Sequence, residues 1–264
     1  MSAPGAAPSP GEPDPPGGAP AGAARPSLAE MYGHAYRRAY ETGANAGATL
    51  LTYQHRDGFT HVQDVAEYFA EAGEWWSTDV LACGMAAGRV LDIGCGAGRH
   101  ALALAAAGHE VVGVEPSVDA VAVARQRGVD ARVGSMLEPP GGIGTFDTLM
   151  LAGGGLHLLY LPEHGRTALL RLAELAGPGA RLVGTCPAPP EPEGPEEPEH
   201  SWDYRLRVEH GGERTGWSEW GATVLLPADR LGALVDGTPW KIAEVVHAEP
   251  PDVPGYVARL DFTG

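Results

Sequence analysis

Two hydrophobic patterns alternate along the middle of the chain. Short apolar runs without polar alternation, at residues 90–93, 110–115, 131–134, 146–151 and 180–186, read as strands buried on both faces. Between them, residues 100–107, 118–127 and 162–175 carry the Ala and Leu content and the spacing of helices, the last with a proline near its start. Strand and helix in repeated alternation imply a mostly parallel sheet covered on both faces. A period of two then takes over: Trp202, Tyr204, Leu206 and Val208 fall on one face and Asp203, Arg205, Arg207 and Glu209 on the other, before Gly211 and Gly212 turn the chain into a hairpin. A helix near 227–235 and strands near 240–247 and 256–262 complete the pattern.

Composition sets the boundaries. Residues 1–27 are Pro, Gly and Ala with scarcely a large apolar side chain, which cannot offset the entropy of ordering, so a disordered tail is expected there. Residues 28–88 read as an N-terminal helical cap region and 89–264 as the main domain, interrupted at 187–220 by a Pro-rich acidic loop and the hairpin. With 264 residues and 44% hydrophobic content, the chain can build a full α/β core. A net charge of -16 disfavours a surface that neutralises phosphates, so nucleic acid is not the expected partner and small-molecule chemistry is. No apolar run reaches membrane-spanning length and the start of the chain lacks the pattern of a secretion signal, which points to the cytoplasm. Cys83, Cys95 and Cys186 have no metal-ligand spacing, so no metal is expected and the thiols read as buried.

The chemistry concentrates where the first buried strand ends. "RVLDIGCGAGRH", residues 89–100, breaks into glycine at every second position just before a helix. Several glycines together are kept where backbone must turn sharply or be approached closely, and the first amides of a helix attract the polar part of a nucleotide-like ligand. Dinucleotide enzymes space these glycines G-x-G-x-x-G, whereas Gly94, Gly96 and Gly98 give G-x-G-x-G with Arg99 where the third dinucleotide glycine belongs. Seventeen residues after Gly98, Glu115 ends the next strand, where a carboxylate can accept from both hydroxyls of an adenosine ribose; a plain surface Glu is the other reading.

"VLDIGCGAGRHALALAAAGHEVVGVEPS" resembles the first two motifs of the class I S-adenosylmethionine-dependent methyltransferases, and the resemblance continues through "FDTLML" and "GPGARLVGT" over roughly residues 60–264. It implies a Rossmann-like, doubly wound seven-stranded sheet with the last strand antiparallel, to which the hairpin after the fifth strand is an insertion. It also implies S-adenosylmethionine as cofactor and a small-molecule methyl acceptor. Asp92 and Gly94 would lie near the amino-acid end of that cofactor, with Cys95 in the same loop. Gly96 and Gly98 would lie under it, and Glu115 on the ribose with Pro116 beside it. Ala152 and Gly153, after the fourth strand, would face the methionine part. One position departs from the family: Ser135, followed by Met136, stands where an acidic residue usually accepts from the adenine amino group. Ser can accept one bond and Met can pack on a ring.

His157, just past the fourth strand, is the candidate general base by the same resemblance, with Tyr160 a weaker one; a histidine satisfied by a backbone carbonyl under a loop is the alternative. Trp217 and Trp220 could wall an apolar pocket or simply pack the hairpin, and Trp75 and Trp76 are similarly ambiguous. Arg99 and His100 read as helix-start residues. Two other functions stay open on the sequence: a cofactor-binding regulator or partner protein without turnover, and another Rossmann-like nucleotide enzyme. The acceptor atom and the oligomeric state are not specified by any motif.

Overall fold

The computed structural model describes residues 24–160, 165–187, 201–248 and 254–264. Apart from residues 24–27 and Pro187, the expected tail and the expected acidic loop lie outside the described residues.

The chain enters through a capping box, in which Ser27 and Glu30 satisfy each other's amides, and this starts α1 (Leu28–Glu41). Then come β1 (Thr49–His55), β2 (Thr60–Asp64), 3₁₀ turns at Val65–Phe69 and Ala72–Glu74, and α2 (Ser77–Gly84). The alternating core follows as β3 (Val90–Ile93), α3 (Arg99–Ala106), β4 (Val111–Glu115), α4 (Val118–Gln126), β5 (Asp130–Val133), β6 (Phe146–Leu151), α5 (Gly165–Ala173) and β7 (Ala176–Pro187). The insertion supplies β8 (Ser201–His210), β9 (Glu213–Arg214) and β10 (Gly221–Val224), and α6 (Leu231–Val235), β11 (Trp240–His247) and β12 (Gly255–Phe262) end the fold.

The main sheet has seven strands in the order β11-β12-β7-β6-β3-β4-β5. β12 runs antiparallel to both of its neighbours, while the pairs from β7 to β5 are parallel. All four residues of β3 are buried, which is why its pattern is a continuous run. The chain moves outward from β3 to β4 on one side and later to β6 on the other, and such a reversal opens a crevice at the carboxyl ends of the strands.

The region expected as an N-terminal helical cap, residues 28–88, holds α1 and α2 and, beyond that expectation, the strands β1 and β2. Their partner is remote in sequence: β1 pairs with β2 on one side and with β8 of the insertion on the other, Leu51 opposite Val208 and Tyr53 opposite Leu206. The sheet β10-β8-β1-β2, with β9 on β8, therefore joins the N-terminal segment to the insertion. One core cluster contains Leu51, Tyr53, Leu206 and Val208 together with Met31, Ala35 and Tyr36 of α1 and Ala97 of the glycine loop. This second sheet is thus packed, through α1, onto the end of β3 where the sequence concentrates its chemistry.

Candidate functional site

Three loops converge at the carboxyl ends of β3, β4 and β6. Gly94, Gly96 and Gly98 have φ of 73°, 53° and 86°, the left-handed region in which side chains are strained. Space matters too, since a Cβ at Gly98 would come within 2.8 Å of Val129, whereas beside Gly94 nothing lies within 4 Å. Tyr36 of α1 covers the loop, its ring 3.3 Å from where a Cβ of Gly96 would sit. Cys95 is buried, its sulfur against Gly113 of β4, so it is a packing residue of the loop.

Glu115 draws the second loop onto the first. Only 8% exposed, it accepts from the amide of Gly96 at 3.1 Å and from that of Ser117 at 3.0 Å, while Pro116 beside it is exposed. Burial pushes its carboxyl up, against the pull of those two amides. Asp92 is also buried, and burial raises it despite the charge of His100 and the amide of Ala101; its Oδ2 has no partner among the described residues. Each carboxylate oxygen can accept two bonds, so Glu115 and Asp92 both retain acceptor capacity for a ligand. At the next loop Ser135 Oγ accepts from the amide of Glu138 at 3.1 Å, and Met136 packs against the main core cluster.

The third loop follows β6. Ala152 packs on the core, and Gly153 and Gly154 both take positive φ, 64° and 85°. Their amides are held from below: Gly153 donates to Asp79 Oδ1 at 2.8 Å and Gly154 to Thr185 Oγ1 at 2.8 Å. His157 follows in the 3₁₀ turn Gly155–Tyr160, with Nδ1 2.6 Å from the carbonyl of Gly154. A carbonyl only accepts, so Nδ1 carries the proton and Nε2 of the neutral ring keeps its lone pair. Burial lowers the pKa of His157, the Gly154 carbonyl pulling the other way. His157 is thus satisfied by a backbone carbonyl, and it also lines a cavity. The side chain of Tyr160 lies outside the described part of the structure.

That cavity, about 1050 Å³, is bounded on the sheet side by Arg99, Gly153, Gly154 and His157 and on the other by Tyr68, Phe69, Trp75 and Trp76 of the N-terminal segment. Thr223 and Leu225, at and after β10, add to it, and Glu67, Glu71 and Glu74 lie around it. Trp217 and Trp220 are not in its lining. Trp217 is 5% exposed beneath Arg205 and Arg207, and Trp220 packs under Arg56 and Arg205. Arg99 and His100, expected to be simple helix-start residues, both reach Asp79 of α2, at 3.0 and 3.3 Å. Neither Asp79 nor Tyr36 stands in a motif. A buried acid in the apolar sequence "STDVLACG" was the one available sign of the first, and no spacing marks the second.

Among the described residues, no group of three or more His, Cys, Asp or Glu side chains could hold a metal ion, and no helix is long and apolar enough to cross a membrane. Residues 90–179 match the model of a family described as a methyltransferase domain. No curated protein matches the chain. Among solved structures, a SAM-dependent methyltransferase from Bacteroides fragilis, crystallised with S-adenosyl-L-homocysteine, superposes with a TM-score of 0.73 at 22% identity, covering 92% of this chain and 98% of that one. The CcbJ methyltransferase from Streptomyces caelestis gives 0.57 at 19% identity over 70% of this chain and 88% of its own. The sugar N-methyltransferase KedS8 from Streptoalloteichus gives 0.50 at 16% identity over 71% and 88%. At these identities the structures share the fold. Residues 90–179, which carry the glycine loop and the buried strand-end acid, are thus similar to a methyltransferase domain, on a fold that the chain shares with solved methyltransferases.

Proposed function

We propose that the chain is an S-adenosylmethionine-dependent methyltransferase that acts on a small-molecule acceptor held in the cavity beside His157. The carrying observation is the cavity itself. Its volume of about 1050 Å³ lies at the upper end of the range of small-ligand pockets, and it brings the turn after β6 and His157 up against an aromatic wall. A net charge of -16, with Glu67, Glu71 and Glu74 among the residues that line the cavity, opposes a phosphate-rich polymer.

The residues fit the cofactor. Glu115, with free lone pairs and a location at the end of β4, would take the ribose hydroxyls; Gly94, Gly96 and Gly98, with Cys95 and Pro116 shaping the two loops, would pass beneath; Asp92, with an unpartnered Oδ2, would serve the amino-acid end. Ala152 and Gly153 would face the methionine part, and Ser135 with Met136 the adenine. Ser135 Oγ, already accepting from Glu138, keeps its proton to donate to a ring nitrogen, which suits adenine without the usual acid. When bound, S-adenosylmethionine supplies a methyl group on a positively charged sulfur, ready for in-line attack by a nucleophile.

The protein's task is then alignment and proton removal. Holding reactants in line can contribute about 7–11 kcal/mol, more than the 10²- to 10⁴-fold typical of a general base. His157, neutral with Nε2 unprotonated, would take the proton of the attacking group. The test is incubation of the purified protein with methyl-labelled cofactor and a panel of small metabolites, products read by mass spectrometry. A small molecule gaining one labelled methyl is the expected result; label found only in protein or RNA would overturn the proposal.

A further inference from the structure

Asp79 lies on α2, before the region that matches the family model, and is 1% exposed. A buried carboxylate is costly unless its oxygens are filled, and here both are. Oδ2 accepts from Arg99 at 3.0 Å, with His100 Nε2 3.3 Å away, and Oδ1 accepts from the Gly153 amide at 2.8 Å and the Thr185 hydroxyl at 3.2 Å. Thr185 Oγ1 in turn accepts from the Gly154 amide at 2.8 Å. One side chain thus ties together the start of α3, which follows the glycine loop, and the turn after β6. Although burial pushes its carboxyl up, the hydrogen bond and charge of His100, the Gly153 amide and Arg99 together hold it below its ordinary value.

We propose that Asp79 is a positioning residue that fixes the gap between the glycine-loop side and the Gly153–Gly154 turn, and so shapes the slot for the amino-acid end of the cofactor. This rests on the reading above that Ala152 and Gly153 face that end. A turn of two glycines in the left-handed region has no side chains to set its place, so its position is set by what its amides bond. Those bonds go to Asp79 and Thr185. The same turn carries the carbonyl that orients His157. The partners of Asp79 do not include Glu115 or Ser135, so the adenosine end should be insensitive to it.

The experiment compares two probes on the full-length protein by calorimetry: S-adenosylhomocysteine, and 5′-methylthioadenosine, which keeps the adenosine thioether and lacks the amino-acid part. Asp79→Asn should weaken the first by about tenfold or more, as the loss of charge-assisted bonds implies, and the second by less than about threefold. Thr185→Val removes one link of the clamp without leaving a buried cation, and should reproduce the selective loss at about threefold, which decides the matter if the Asn variant fails to fold. A merely structural Asp79 would weaken both probes alike, and that result, or no change in either, would overturn the proposal. Glu115→Gln run alongside separates the two layers of the argument, because it should weaken both probes; if it leaves both unchanged, the assignment of the cofactor site has failed and not only the role of Asp79.

Discussion

Burial moves the pKa values of Glu115 and His157 in opposite directions, each toward the neutral form, and each shift gives a measurable sign. Burial raises Glu115, so the folded protein holds its proton to higher pH than the unfolded chain does. Its contribution to the stability of the ligand-free protein is present at low pH and lost as pH rises through the raised value. If the ionised carboxylate takes the ribose hydroxyls, as proposed, S-adenosylhomocysteine affinity should fall as pH drops into the range where Glu115 protonates, earlier than for an exposed Glu. Glu115→Gln should weaken binding about 10- to 100-fold at neutral pH and flatten that slope, with Asp92, also raised, leaving a remainder. Gln is the better probe than Ala because it still offers an acceptor to the Gly96 or Ser117 amide. For His157, burial lowers the pKa, so the folded protein binds fewer protons than the unfolded chain just below the ordinary imidazole value. Stability from this group is therefore lost as pH falls through that window. The neutral base persists to lower pH, and the acid limb of kcat/KM should sit below that of an ordinary imidazole. Once an acceptor is found, His157→Gln should lower turnover by about 10²-fold and remove that limb while sparing cofactor affinity. Normal turnover in a stable variant would end the assignment.

At the scale of elements, what could be read from the sequence was what local pattern determines. The continuous run of β3, the carboxyl-terminal Glu115 of β4 and the glycine junction into α3 each carry their own signal, and the structure has them within a residue or two of expectation. The strands β1 and β2 carried none that survived, because "TLLTYQH" becomes a strand through pairing with β8, about 150 residues on, as in Gln54 opposite Arg205. Helix α1 shows the same dependence on a distant partner. At Gly33 a Cβ would lie 1.8 Å from Ser117 Oγ and 3.1 Å from the Ala120 amide. Ser117 Oγ is the cap of α4, accepting from Ala120 at 3.3 Å, and the Ser117 amide is a donor to Glu115. In an exposed helix Gly→Ala would stabilise; here Gly33→Ala must push α1 off or displace the cap, at a cost of about 1–3 kcal/mol. A fall in Tm of several degrees with weakened cofactor binding is expected, and a raised Tm would show that α1 does not seat against α4 as described.

The whole molecule divides its labour between two sheets. The seven-stranded sheet and its loops hold the positions the sequence motifs named, and these were legible because left-handed glycine turns and buried strand ends are local patterns. The walls of the cavity come from elsewhere: Tyr68, Phe69, Trp75 and Trp76 precede the family-matched region, and Thr223 and Leu225 follow it. Both segments meet in the smaller sheet through β1 and β8, so they form one unit beside the cavity. The identity of the acceptor should then be written in this unit, in residues with no motif to reveal them, which is why the sequence left Trp75 and Trp76 ambiguous and gave the hairpin Trp217 and Trp220 equal standing. Trp76 offers the cleanest separation of the two functions. Its side chain lines the cavity and is 43% exposed, whereas Trp75 also packs edge-on to His100 and would disturb the clamp around Asp79. Trp76→Ala should leave S-adenosylhomocysteine affinity within about twofold, the scale of a lost exposed contact, yet lower kcat/KM for the acceptor about tenfold or more through lost apolar contact area. Calorimetry with the cofactor product and mass spectrometry of the methylated acceptor read the two quantities separately. A drop in cofactor affinity equal to the drop in kcat/KM would mean that the cap and the cofactor loops work as one site, and that selection of the acceptor is not confined to the smaller sheet.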